Sequence, residues 1–146
     1  LIAQVPTPID AVAIYVGTAG CYLGVTRELR ERYPDLHRVA VEPTESAVLS
    51  GRAAGTHRIE GGGVGFVPDQ LSLDEVDEIV TVSTADAEAM ARRATRVEGL
   101  FSGASTGANL TAALELARLL GPGRTVATIQ VDSGLKYLAG AVYRET

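Results

Sequence analysis

Ala11-Val12-Ala13-Ile14-Tyr15-Val16-Gly17-Thr18-Ala19-Gly20-Cys21 runs from a continuous apolar stretch, rich in β-branched residues, straight into a glycine-rich turn. An apolar run without polar alternation is the pattern of a strand buried on both faces, as in a parallel sheet covered by helices. From about Cys21 to Tyr33, Tyr22, Val25, Leu29 and Tyr33 fall on one side of a helix and Arg27, Glu28, Arg30, Glu31 and Arg32 on the other, until Pro34 stops it. Strand, loop and helix are contiguous.

Outward from this unit the same alternation continues. Arg38-Val39-Ala40-Val41-Glu42, closed by Pro43, reads as a second strand and Glu78-Ile79-Val80-Thr81-Val82 as a third. Ser83 followed by Asp86 is a helix-start signal, and Ala89, Met90, Arg93, Ala94 and Val97 carry that helix to Gly99. A further helix is predicted from about Gly107 to Leu120, with Leu110, Ala113, Leu114 and Ala117 as its buried stripe and Gly121-Pro122-Gly123 as its stop. Thr125 to Val131 is predicted as a fourth strand, followed by Asp132-Ser133-Gly134 and a short terminal helix through Tyr143. The order predicts an α/β protein: a three-layer α-β-α arrangement around a mostly parallel, twisted sheet with right-handed crossovers.

Composition narrows the class. At 146 residues and 46% hydrophobic, the chain can build one core, so a single domain is expected. The net charge is −5 and the arginines are scattered, which argues against nucleic acid as a partner. The apolar stretches are strand-length, and Leu1-Ile2-Ala3-Gln4 lacks the pattern of a signal peptide, so a cytoplasmic protein without a membrane span is expected. Cys21 is the only cysteine, which excludes an internal disulfide. His37 and His57 have no partner at metal-ligand or triad spacing; both are expected at the surface, and no metal site is expected.

Gly17 through Cys21 lies where a buried parallel strand hands over to a helix, so free backbone N–H groups and the positive helix end favour an anion there. The spacing fits neither G-x-G-x-x-G nor a P-loop. The alternative is a tight turn whose glycines only let the helix pack closely. The irregular segment from Gly51 to Gly65 is long for a mere connection, and Val64, Phe66 and Val67 at its end favour an ordered, functional loop.

Five segments together carry a resemblance. Val16-Gly17-Thr18-Ala19-Gly20-Cys21 resembles the G-T-G-G-T phosphate loop of the cysteine synthase and cystathionine β-synthase family, fold-type II pyridoxal-phosphate enzymes. Val41-Glu42-Pro43 with Ser46-Ala47-Val48-Leu49-Ser50-Gly51 is similar to V-E-P-x-x-S-x-V-L-S-G of that family. His57-Arg58-Ile59-Glu60-Gly61-Gly62-Gly63-Val64-Gly65-Phe66-Val67-Pro68 resembles H-K-I-Q-G-I-G-A-G-F-I-P, and Gly103-Ala104-Ser105-Thr106-Gly107-Ala108 resembles G-I-S-S-G-A. Asp132-Ser133-Gly134-Leu135-Lys136-Tyr137-Leu138 is similar to the closing D-S-G-E-R-Y-L, with Leu135 and Lys136 departing from it.

The resemblance implies part of the large domain of such an enzyme, with pyridoxal 5'-phosphate as cofactor and its phosphate held by Gly17, Thr18, Ala19, Gly20 and Cys21. Ala19 stands where the family has Gly, and Cys21 where it has Thr; a thiol is the poorer donor. Left to its own chemistry, Cys21 would be a small buried hydrophobe. The resemblance places Ser105 against the pyridine nitrogen, although its position also suits an N-cap of the helix that follows. It places Asp132, Ser133 and Tyr137 behind the cofactor ring. Gly61, Gly62 and Gly63 would line the substrate cleft; the plain alternative is a flexible surface loop.

The resemblance also exposes a gap. Lys136 is the only lysine and follows the last strand, whereas the family's Schiff-base lysine lies upstream of the glycine loop, near an asparagine loop for the substrate carboxylate. Residues 1–146 are therefore expected to be the C-terminal portion of a longer enzyme, without that lysine, without catalytic residues of their own and inactive alone. The implied activity is replacement of the β-substituent of an activated serine such as O-acetylserine by sulfide, giving cysteine, in an enzyme that is a homodimer when intact. The alternatives are another β-replacement or elimination, as in cystathionine or diaminopropionate formation, or a noncatalytic phosphate- or partner-binding module; a plain nucleotide-binding domain is a third.

Overall fold

In the computed structural model, which describes residues 2–144, four parallel strands form one sheet in the order β3-β2-β1-β4. The elements follow the chain as β1 (Ala11–Tyr15), α1 (Gly20–Arg32), β2 (His37–Pro43), β3 (Glu78–Val82), α2 (Thr84–Glu98), α3 (Ala104–Leu120) and β4 (Val126–Ala127). Register pairs Ala11 with His37 and Tyr15 with Val41 on one side of β1, and Ala11 with Val126 on the other.

Alternation along β1 divides the core. Ala11, Ala13 and Tyr15 point to the face covered by α2 and α3, with Val39, Val41, Ala108 and Leu116. Val12, Ile14 and Val16 point to the face covered by α1, with Tyr22, Leu23 and Leu29. Every β1 residue is buried, as expected of a strand sandwiched between helical layers. The three-layer α/β arrangement is thus present.

Glu42 shows why β2 can end on a buried charge. It is 2% exposed, yet its carboxylate accepts from Leu49 N (2.8 Å), Ser50 N (2.9 Å) and Ser50 Oγ (2.6 Å). Those donors fix the turn at 47–51 against the strand, because a buried carboxylate must be satisfied.

Several boundaries differ from the sequence-based expectation. Ser83 caps α2 as expected: Asp86 N donates to Ser83 Oγ at 3.1 Å. Its buried face, however, is the small one of Ala87, Ala91 and Ala94, while Val97 is exposed. The cause is close helix crossing: a Cβ on Gly107 of α3 would collide with the backbone of Ala87, so only small residues fit between the helices. For the same reason the buried stripe of α3 runs through Ser105, Ala108, Asn109, Ala112 and Leu116 instead of the expected Leu110 and Leu114.

α3 begins at Ala104, capped by Gly103, so Ser105 lies inside its first turn and is not its N-cap. The expected strand from Thr125 to Val131 pairs only at Val126–Ala127, and the terminal helix is reduced to a 3-10 turn at Gly134–Tyr137. His37 and His57 are half-buried, not free at the surface: His37 Nε2 lies 2.8 Å from Glu78 Oε2, and His57 Nε2 lies 2.9 Å from Gly63 O.

Candidate cofactor site

The strand order creates a crevice before any side chain is considered. The connections β1→β2→β3 step to one side of β1, and the connection through α2 and α3 returns to place β4 on the other. α1 leaves the carboxyl end of β1 on one face of the sheet while α2 and α3, on the other face, lead into β4. The strand order thus reverses between β1 and β4, and such a switch point is where open α/β sheets bind ligands.

A cleft of about 210 Å³ lies there, lined by Gly17, Thr18, Gly20 and Cys21 of the glycine loop, Gly61 of the 51–65 segment, and Ser105, Asn109, Ile129 and Val131. The loop, Ser105 and the first residue of the glycine triplet, far apart in sequence, thus meet. More open hollows of about 850 and 780 Å³ lie elsewhere, but neither is bounded by the glycine loop.

Electrostatically the cleft suits an anion. α1 starts at Gly20 with no side-chain cap and no acidic residue in its first turn; α3 likewise has neither at its start beside Ser105. α2, which does not border the cleft, has both a serine cap and Asp86. The uncapped first-turn N–H groups and positive end of α1 therefore open on this space, whereas the start of α3 has a carboxylate beside it, Asp132 Oδ1 accepting from Gly103 N.

Close packing defines the loop. A Cβ on Gly17 would sit 2.5 Å from Gly61 O, so only glycine lets the two segments touch. Gly63 N donates to Val16 O (3.0 Å), and Tyr15 OH donates to Ile59 O (3.0 Å), tying the 59–63 stretch to the end of β1. Gly61, Gly62 and Gly63 are accordingly packed against the strand end and are not a loose surface loop. Gln70 donates through its side-chain amide to Thr18 O, holding the loop from outside.

Ser105 is 3% exposed, lines the cleft and makes no hydrogen bond through its hydroxyl among the described residues. Its Oγ is not fully enclosed, since Ser46 Oγ is the only fully buried side-chain polar atom without a partner among them, so it is open to a ligand or water in the cleft. Cys21 is exposed at the cleft and not buried as its own chemistry would suggest. Ala19 takes the left-handed conformation (φ 69°) directly before α1.

Asp132, Ser133 and Tyr137 do not line the cleft; they support it. Asp132 Oδ1 accepts from Gly103 N (3.1 Å), and Tyr137 OH donates to Asp132 Oδ2 (2.6 Å), so the residue that caps α3 is pinned from below. Burial, and then the adjacent Asp132, push the Tyr137 phenol well above its ordinary value, keeping it a donor. Ser133 caps the 3-10 turn by accepting from Leu135 N. Lys136 points away, 65% exposed, with Nζ 3.4 Å from Asp132 Oδ2.

Sequence reasoning missed Asn109 and Gln70. Asn109 carried a legible signal, a polar residue one turn beyond Ser105 on an otherwise apolar stripe; Gln70 carried none.

A glycine-loop crevice at the switch point of a parallel sheet is the geometry of a ligand-binding α/β protein. Comparison narrows this: the sequence model described as "Pyridoxal-phosphate dependent enzyme" matches residues 1–131, and the chain belongs to that family. It is 41% identical over 135 residues to a cysteine synthase of Staphylococcus aureus, covering 92% of this chain and 44% of that protein. Among solved structures it resembles O-acetyl serine sulfhydrylase isoform 3 of Entamoeba histolytica (TM-score 0.91, 40% identity, 95% of this chain and 42% of that one). It also resembles an O-acetylserine dependent cystathionine β-synthase of Helicobacter pylori (TM-score 0.89, 33% identity, 98% and 46%). The chain thus spans less than half the length of the relatives it matches.

Proposed function

We propose that this chain forms the phosphate- and ring-nitrogen-binding half of a pyridoxal-phosphate enzyme that replaces the β-substituent of an activated serine, with O-acetylserine and sulfide as substrates and cysteine as product. One observation carries the reading: the Ser105 hydroxyl, with no protein partner among the described residues, opens on the same cleft as the glycine loop and the uncapped start of α1. The donor set fits the cofactor, with backbone amides and Thr18 for a phosphate dianion and a neutral hydroxyl for a pyridine nitrogen.

When bound, the cofactor supplies an electron sink for carbanions at the substrate α-carbon. The backbone N–H groups of Thr18 to Cys21 would hold its phosphate. Ser105 would offer the ring nitrogen a neutral hydroxyl, which cannot hold a proton there as a carboxylate can, and so would favour elimination and replacement at Cβ over transamination. Gly61 to Gly63 bound the substrate side. The relatives' names support sulfide as nucleophile, and the cystathionine β-synthase likeness makes a thiol amino acid the competing one.

No lysine lies at the cleft, so the proton-moving lysine is supplied from outside residues 1–146, and this stretch alone is inactive. The active enzyme is proposed to be a homodimer.

The test uses the polypeptide as encoded in full. It should form cysteine from O-acetylserine and sulfide, and Ser105→Ala should lower the affinity for pyridoxal phosphate by about tenfold, as expected for losing a buried hydrogen bond. Unchanged affinity and turnover in Ser105→Ala and Thr18→Val would refute the assignment.

A further inference from the structure

β1 and β4 begin as an ordinary parallel pair and then part. Ala11 N donates to Thr125 O, and Ala11 and Val12 face Val126 and Ala127, but the ladder stops there. Beyond it, side chains replace the ladder, two of them bridging the strands and a third, on α3, holding Val131 alone. Thr128 Oγ1 donates to Ala13 O at 2.7 Å. Asn109 Oδ1 accepts from Tyr15 N at 2.6 Å, and Asn109 Nδ2 donates to Ile129 O at 2.9 Å. Thr106 Oγ1, one helical turn before Asn109, accepts from Val131 N at 3.0 Å.

Direct pairing would keep the strands about 4.8 Å apart and close the crevice. Interposing a carboxamide widens the gap and still satisfies both backbones, which burial demands: Asn109 is 0% and Thr106 1% exposed. Both backbone groups are bound only with this orientation of the amide, so the spacer is specified in direction as well as length.

What Asn109 spaces is the site itself. Tyr15 leads within two residues to Gly17 of the phosphate loop, Ile129 and Val131 form the opposite wall, and Asn109 stands one turn beyond Ser105 on the same helix. We infer that Asn109 is a positioning residue for the cofactor: its side-chain amide replaces the β1–β4 ladder at the point of divergence and fixes the distance between the phosphate loop and the opposite wall at Ile129 and Val131, with Ser105 one turn away on the same helix. This rests on the cofactor reading above. A ligand that spans loop and wall depends on the spacing; one that needs only the loop does not.

Asn109→Asp tests this, because the near-isosteric carboxylate can accept from Tyr15 N but cannot donate to Ile129 O. In the apo form of the full polypeptide, pyridoxal phosphate and inorganic phosphate are titrated separately by calorimetry. The expected result is a loss of about tenfold in affinity for pyridoxal phosphate with inorganic phosphate held within about twofold. Thr128→Val, which removes the neighbouring hydroxyl at nearly constant volume, should move the same ratio in the same direction, and it decides the matter if Asn109→Asp does not fold. Equal losses for both ligands, or no loss for either in a folded variant, would overturn the positioning role. If the unsubstituted protein binds inorganic phosphate but not pyridoxal phosphate, the cofactor reading falls and this inference with it.

Discussion

Ala19 is the only non-glycine residue with positive φ among the described residues, and it stands where the resembling family has glycine. A left-handed L-residue costs about 1–2 kcal/mol. Against this, the Ala19 methyl is 2% exposed in the core under α1, a burial that contributes about 0.8 kcal/mol. Introducing glycine would add about 0.5–1 kcal/mol of unfolded-chain entropy. The three contributions nearly cancel, so Ala19→Gly should shift unfolding free energy by less than about 1 kcal/mol, while Ala19→Val, β-branched at the same φ, should lose about 2 kcal/mol or more. Denaturant titration of both variants checks the contrast. Alanine is therefore tolerable here only because its methyl has a place to go, a fact absent from the sequence.

Helices were legible as elements but not always by face. Ser83 with Asp86 was readable as a start because capping is local, and Ser83→Ala should cost about 1 kcal/mol, seen as a lower midpoint in thermal unfolding. Of the stripe expected on α3, Ala113 is buried but Leu110 and Leu114 are not, because periodicity assigns the apolar face to the largest residues, whereas the crossing at Gly107 demands small ones. Strand β4 is shorter than its composition predicts for a related reason: residues 128–131 have strand-like composition, yet the backbones of Ile129 and Val131 are bound by the Asn109 and Thr106 side chains, and Thr128 reaches β1 only through its hydroxyl. Local propensity cannot register a partner contributed by a helix that precedes the strand.

Across the whole molecule, charge pairs clamp α1 to the sheet edge through the 73–77 turn. Arg38 holds Asp77 bidentately (2.8 and 2.9 Å), Arg30 lies 3.7 Å from Asp77, and Arg27 binds Glu75. The Arg38 guanidinium lowers the Asp77 carboxyl from 3.8 to about 2. A depressed carboxylate contributes stability that is fully present above its unfolded value and lost as pH falls from there through its folded one. Stability should therefore fall between about pH 4 and 2, and Asp77→Asn should flatten that acid arm while lowering stability at neutral pH. Thermal midpoints measured across this range would show it; an unchanged acid slope would contradict the assignment. Glu75, lowered by Arg27, acts in the same direction.

No described helix is long and apolar enough to cross a membrane.

By itself the sequence determined the α/β class and the strand-loop-helix unit at 11–33, and it marked the loop as a candidate anion site, since each depends on residues adjacent in the chain. Only the tertiary structure decided that Ser105 and Gly61 reach that loop, that Asp132 and Tyr137 brace the site from behind, and that a carboxamide holds the crevice open. Those outcomes follow from strand order and helix crossing, which bring together residues such as Tyr15 and Asn109, 94 positions apart, and no local pattern encodes such distances.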